Sequence, residues 1–444
     1  MTGRKCLVSL AVLLAGITMG AGQAGAAKKA EYKTKIEFDL VTKIASPTAA
    51  ASPPGHPELL FVTSRLGKVR AIRGGRLLPR PLIDLSKQVN HRWYEQGLLG
   101  IAFSPEFEKT GRFYVHFTAK DGDVKIVEFR VDPKKDPTVA LPASGRTLLR
   151  VPMVDPKGNH NGGELAFLGK YLYIAIGDGN DPGDQQNLAQ NLESFRGKIL
   201  RIDPDPAETA GRTYSIPPDN PFVGKPGRDE IFAYGFRNPH SFDFYRPKDG
   251  EAHLVVTDVG QGRAEELNYL PFKYAFGANF GWKMFEGNLP YDCEATLCPG
   301  GAPPAPTTPL VWPVLTYPHT KGCAIIGGPV VEDPALTKID GRILYGDFCQ
   351  NRIRTARPNT AWVKSDKSIG TFLPPGKGEH PALNGFAEDG WGRVYALSNF
   401  GEIYRLDQEV VRIGGPKKPN PGKPGRKPGK KPGKASATKK AVHA

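Results

Sequence analysis

The stretch RFYVHFTAKDGDVKIVEFRVDP, residues 112–133, sets two apolar runs on either side of a polar turn. Apolar and polar side chains alternate along both runs, the period of a half-buried β-strand. A polar turn containing Asp or Gly joins them, and the second run carries the basic residues. Outward from it the same unit recurs, as LLFVTSRLGKVRAIRGG from Leu59, AHLVVTDVGQGRAEELNYL from Ala252, RILYGDFCQNRIRTARP from Arg342 and GRVYALSNFGEIYRLD from Gly392. A sixth copy is split, KYLYIAIGDG from Lys170 with GKILRIDPD from Gly197.

Several copies follow another short apolar strand, as in GLLGIAFSP, GGELAFLG and NGFAEDG. Repeated antiparallel units of this kind are what β-propeller blades supply. The sequence therefore predicts an all-β chain folded as a six-bladed propeller over residues 34–410. The FDLVT strand near Phe38 is expected to complete the last sheet, and long insertions are expected after Asp178, Asn268 and Trp282. A β-sandwich with long loops is the structural alternative. The 52 Gly and 42 Pro punctuate the whole of the 444 residues, and 39% hydrophobic content suffices for a large core.

Both ends read differently. Arg4 and Lys5 precede an apolar run from Leu7 to about Met19, and Ala24-Gly25-Ala26 offers a small-residue cleavage site. Residues 1–26 thus read as an export signal. The run is shorter than the roughly 20 residues of a transmembrane helix, so a secreted or periplasmic protein without a membrane anchor is expected. Residues 414–444 hold ten Lys or Arg and no acid. Removing these and Arg4 and Lys5 from the net charge of +15 leaves +3, so the body does not read as a nucleic-acid binder. The Pro-Gly-Lys tail reads as disordered, either simply solvated or attracted to anionic cell-envelope polymers.

Four cysteines remain beyond the leader. An even count in an exported chain suggests two disulfides, with Cys293–Cys298 and Cys323–Cys349 the preferred pairing. A zinc site competes, but paired C-x-x-C units are absent from the sequence.

The segments EQGLLGIAFSPEF (95–107), NHNGGELAF (159–167), YLYIAIGDG (171–179), YGFRNPHSFDF (234–244), DVGQGRAEELNYL (258–270) and NFGW (279–282) follow one another in order. This ordered set resembles the soluble quinoprotein glucose/sorbosone dehydrogenases, a family that includes aldose sugar dehydrogenases and Hedgehog-interacting-protein-like propellers. The resemblance covers roughly residues 37–408 and implies the same six-bladed fold. It also implies oxidation of an aldose at the anomeric carbon to a lactone, with hydride passing to pyrroloquinoline quinone (PQQ). His160 corresponds to the base, Asp178 to its supporting acid, and Arg237 with Asn238 to the quinone contacts. Glu95 and Asn159 stand on the substrate side. Calcium is implied at the Gly260 and Gln261 carbonyls, and again at Glu266 with the Phe280 carbonyl. Taken singly, His160 and Asp178 read as turn residues, Arg237 as an internal ion-pair partner and Glu266 as a surface strand carboxylate.

Departures are visible too. Cys349 stands near the family's fifth-blade lysine, and PALNGFAED lacks the arginine pair that leads into the sixth blade. Lys321 or Arg352 would have to supply cations to the quinone's carboxylates. Glu95-Gln96 and Asn159 replace a glutamine and an acid, as in the Hedgehog-interacting-protein-like branch. A calcium-stabilised propeller that binds carbohydrate or protein without turnover is therefore the alternative function, with a propeller lactonase a third.

Overall fold

The computed structural model describes residues 31–153, 158–179, 183–205, 213–247, 250–291, 308–350, 352–363, 365–371 and 383–413. A compact unit spans Thr34–Glu409. It is a six-bladed β-propeller, with one four-residue helix, Phe107–Thr110, and two short 3₁₀ turns among the described residues. The leader, Cys293, Cys298 and the basic tail lie outside the described residues.

Each blade is an antiparallel sheet built outward from an inner strand. The inner strands of blades 1 to 6 are Pro47–Ala51, Leu98–Phe103, Leu165–Leu168, Pro239–Tyr245, Ile325–Val330 and Leu383–Glu388. Every inner strand touches the next, and the sixth touches the first, so they close a ring around an axial channel. The strand holding Phe38, Glu31–Lys43, is the outer strand of blade 6 and pairs with Glu402–Ile413. N-terminal and C-terminal strands thus share one sheet, which removes the free edge an open array would expose.

Six apolar clusters fill the gaps between neighbouring blades. Their composition explains one departure from the expected pattern. Strand Leu59–Ser64 is buried at every position rather than at alternate ones. Leu59 and Phe61 pack towards blade 2, whereas Leu60 and Val62 pack towards blade 6. A sheet covered on both faces carries apolar residues in both registers, so the half-buried reading was wrong for this strand.

The insertions carry the site. Blade 3 leaves its strand Tyr171–Ile176 for a loop that returns at Lys198–Ile202. In blade 4 the excursion starts after strand Ala264–Pro271, not after Asn268, which lies within that strand. It includes the Phe285–Glu286 and Leu289–Pro290 hairpin and rejoins the sheet at Leu315–Pro318. A disulfide joins Cys323 to Cys349 with Cα atoms 5.6 Å apart, so these thiolates are not zinc ligands. No helix among the described residues is long and apolar enough to cross a membrane.

Candidate active site

The turn before the inner strand of blade 3 crosses one mouth of the channel. Gly162 is required there: its φ is +70°, and a Cβ would lie 2.3 Å from the Ala175 carbonyl oxygen. His160 has φ 53°, an uncommon conformation for a non-glycine residue. Two contacts hold it. Its backbone N–H donates to Glu95 Oε2 at 2.7 Å, and its Nδ1 lies 2.7 Å from Asp178 Oδ1.

Asp178 is 1% exposed and tied to two further elements. Its Oδ2 accepts the Trp282 indole N–H at 2.8 Å, and its backbone N–H donates to the Arg237 carbonyl at 2.8 Å. The carboxylate orients the imidazole through Nδ1 and leaves Nε2 outside this contact. His160 is buried, so this geometry is protected from solvent.

Arg237 and Asn238 arrive at the same mouth just before the inner strand of blade 4. Buried Asp258 orients both, accepting the Arg237 N–H at 2.8 Å and the Asn238 N–H at 2.7 Å. The guanidinium donates to Gln261 Oε1 at 3.0 Å and the Val259 carbonyl at 2.9 Å. Its Cζ sits 5.8 Å from the Trp282 ring centre. Asn238 Oδ1 accepts the Gly162 N–H at 3.1 Å, which couples this corner back to the His160 turn.

Beside Arg237, a cavity of about 10 Å³ is lined by three carboxylates, Asp258, Glu266 and Glu286, together with Gly260. Burial pushes Asp258 up to about 7, against the pull of its two amide donors. Burial, then the charge of Asp258, pushes Glu266 well above the usual carboxylate range. Glu286 is 3% exposed; its Oε1 accepts the N–H groups of Gly262, Arg263 and Ala264, while its Oε2 has no partner. Asn268 Oδ1, also buried, has none either.

Two of the residues expected to hold calcium lie on this cavity. Gly260 and Glu266 line a single cavity. Gln261 points its side-chain oxygen at Arg237. Phe280 is not on that wall; its ring stacks on Phe236, with centroids 4.3 Å apart.

On the channel axis lies a larger cavity of 260 Å³, near the lower end of the roughly 300–1,000 Å³ usual for small-molecule sites. Glu95, Asn161, Gly162 and Asn238 line it; His160 and Arg237, bonded to these segments, are not among its lining residues. Asn159, half-buried, precedes His160 in the same turn. Blades 5 and 6 contribute Phe348, Asn384 and Phe386. Lys321 and Arg352 are exposed and do not line the cavity, so neither supplies the cation expected of it. Arg65 of blade 1 does line it.

Sequence motifs pointed to His160, Asp178, Arg237 and Asn238, and the fold brings them into one hydrogen-bonded group. Asp258 and Trp282 begin and end quoted motifs, yet nothing local reveals that they orient Arg237 and Asp178. Glu286 stands in no quoted motif and Arg65 only in a strand repeat; the chain's return through space gives them a place.

The fold and this corner together define a six-bladed propeller whose polar site lies at one mouth of its axial channel. A family model for Glucose / Sorbosone dehydrogenase matches residues 45–370, and the chain belongs to that family. It is 28% identical over 393 residues to the HIPL1 protein of Arabidopsis thaliana, covering 73% of this chain and 55% of that protein. Against the Hedgehog-interacting protein of Homo sapiens it is 30% identical over 400 residues, covering 86% and 53% respectively. The chain thus spans about half the length of the curated relatives it matches. The PQQ-bound form of aldose sugar dehydrogenase from Streptomyces coelicolor superposes with a TM-score of 0.62 at 24% identity, covering 86% of this chain and 100% of that one. At that identity the likeness bears on the fold.

Proposed function

We propose that the protein is a sugar dehydrogenase that oxidises an aldose at the anomeric carbon to the lactone, with PQQ and calcium. The observation that carries this reading is the buried His160–Asp178–Trp282 chain, which orients the imidazole beside the axial channel. His160 Nε2 takes the proton of the anomeric hydroxyl. Asp178 keeps the ring oriented and stabilises the imidazolium that results. Glu95 holds the backbone of His160 and, with Asn159, faces the sugar.

Observations at two places support the implied groups. For calcium, Asp258, Glu266 and Glu286 offer hard oxygen atoms on one small cavity, and the unpartnered Glu286 Oε2 and Asn268 Oδ1 are two buried acceptors lacking a positive partner. For the quinone, the axial cavity has two flat aromatic walls, Phe348 and Phe386, and Asn238 on its rim. When bound, the quinone supplies the two-electron hydride acceptor. Asn238, on the cavity lining, and Arg237 beside it would stabilise the negative charge that develops on the bound quinone.

Reconstitution tests the reading. The purified chain is loaded with PQQ and calcium, and dye reduction is followed with several aldoses. The expected result is turnover that His160→Ala lowers by about 10²- to 10⁴-fold. Absence of turnover with every sugar, or undiminished turnover in the variant, contradicts it.

A second reading, binding of carbohydrate or protein without turnover, is favoured by one observation: blades 5 and 6 present Phe348, Asn384 and Phe386 to the cavity and no cation. Saccharide binding without dye reduction in the same assay would support it. In either case we place the protein outside the cytoplasm, supported by the apolar leader and the Cys323–Cys349 disulfide. Contact of the basic tail with anionic envelope polymers is part of this proposal. The electron acceptor is left open.

A further inference from the structure

The axial cavity contains one positively charged side chain, and it comes from an unexpected side. Arg65 follows the strand Leu59–Ser64 of blade 1 and packs over Gly97, where a Cβ would meet its Cγ at 2.4 Å. Its NH1 donates to the carbonyls of His91, Trp93 and Gln96, at 3.0, 3.2 and 3.3 Å. Those bonds use one nitrogen of three. Nε is buried with no hydrogen-bond partner. Among the described residues, no carboxylate lies within ion-pair distance of the guanidinium. Two acids share the cavity: Glu95, engaged with the His160 N–H, and Glu164, which burial pushes up to about 8.

A half-buried guanidinium without a counter-ion is an unbalanced charge. Its planar fork matches a carboxylate, and charge-assisted bonds to one are among the stronger contacts available to a protein. The rest of the cavity suits the same kind of ligand. His240 Nδ1, also on its wall, is buried without a partner, and Phe348 and Phe386 offer flat apolar surface.

We propose that Arg65 is the carboxylate anchor of the axial cavity, holding from blade 1 the anionic group of a planar aromatic polycarboxylate. In the functional reading above, on which the identity of that ligand rests, it is the quinone cofactor. Arg65 then does the work that the fifth- and sixth-blade cations would otherwise do.

The test is binding, not turnover. The calcium-loaded full-length chain is titrated calorimetrically with PQQ and, separately, with benzene-1,3,5-tricarboxylate, across a range of salt concentrations. Arg65→Gln should weaken both by about ten- to a hundredfold and flatten the salt dependence, with Arg65→Lys recovering part of the loss. Thermal unfolding of each variant checks that the 91–96 loop still folds. Unchanged affinity in Arg65→Gln overturns the proposal, and so does failure of the wild type to bind either anion. Weakened binding with an unchanged salt slope also overturns it, because that marks Arg65 as a support for the loop. If only the simple tricarboxylate binds, and through Arg65, the anchor stands while the quinone part of the proposed function falls.

Discussion

His160 is held at its backbone by Glu95 and at its ring by Asp178, and Asp178 in turn by Trp282 and Arg237. A base with so little freedom depends on residues that never meet a substrate. Trp282→Phe removes a donor from a buried carboxylate and leaves the aromatic bulk. It should lower unfolding free energy by about 1–3 kcal/mol, read from denaturant midpoints, and should reduce turnover through misorientation of His160. A variant as stable and active as the parent would show that the indole N–H contributes nothing. At this scale the sequence was informative where chemistry is carried by short motifs, as in Asn159-His160 and Arg237-Asn238. It was silent on the roles of Trp282, Glu286 and Arg65, whose side-chain hydrogen-bond partners lie from 22 to 104 residues away and meet them only in the folded chain.

The elements that frame the channel carry a pH dependence of their own. Below the axial cavity a second chamber of 160 Å³ is lined by Glu164, Asp243 and Glu388, from the inner strands of blades 3, 4 and 6 or the residue just before them. Burial, then the charge of Asp243, pushes Glu164 up to about 8. Burial raises Asp243 and Glu388 as well, with Glu332 adding to both. In the folded state Glu164 keeps its proton at neutral pH, whereas the unfolded chain releases it near the ordinary value of 4.5. The folded form therefore holds more protons between about 4.5 and 8, and its stability falls as pH rises through that window. Glu164→Gln should flatten this fall and raise the melting temperature at pH 8 relative to wild type. An identical pH profile would remove Glu164 from the argument.

Blade 5 supplies the other element-scale case. Cys323 and Cys349 flank Ala324 and Phe348, which both line the axial cavity, so the disulfide staples that wall. Replacing both cysteines by serine should lower stability by about 3 kcal/mol for a crosslink of this span. Cysteine number and export context suggest disulfides, and Cys323–Cys349 belongs to the preferred one of the three connectivities they allow. Its position beside the cavity was not legible, because spacing alone does not say which strand faces the channel.

For the whole molecule the decisive feature is closure. The six repeated units were legible because each carries its own alternating strand and turn, and because a unit that cannot bury both faces alone needs neighbours. What could not be read was how far each loop reaches over the channel. Deleting residues 31–43 removes the outer strand of blade 6 and leaves Glu402–Ile413 as an exposed edge. The truncated chain should melt at a lower temperature and associate, as seen by scattering; a monomer with unchanged melting would show that the ring does not need this strand.

The most direct test of the account is a single-turnover experiment. The chain loaded with calcium and PQQ is mixed in a stopped-flow instrument with an aldose carrying hydrogen or deuterium at the anomeric carbon, and the cofactor's absorbance is followed. A His160 base predicts rapid bleaching that deuterium slows, and a His160→Gln variant that binds the cofactor equally well yet bleaches at least a hundredfold more slowly. Bleaching at the wild-type rate in that variant, or none with any aldose in a chain that has bound both cofactors, would contradict it.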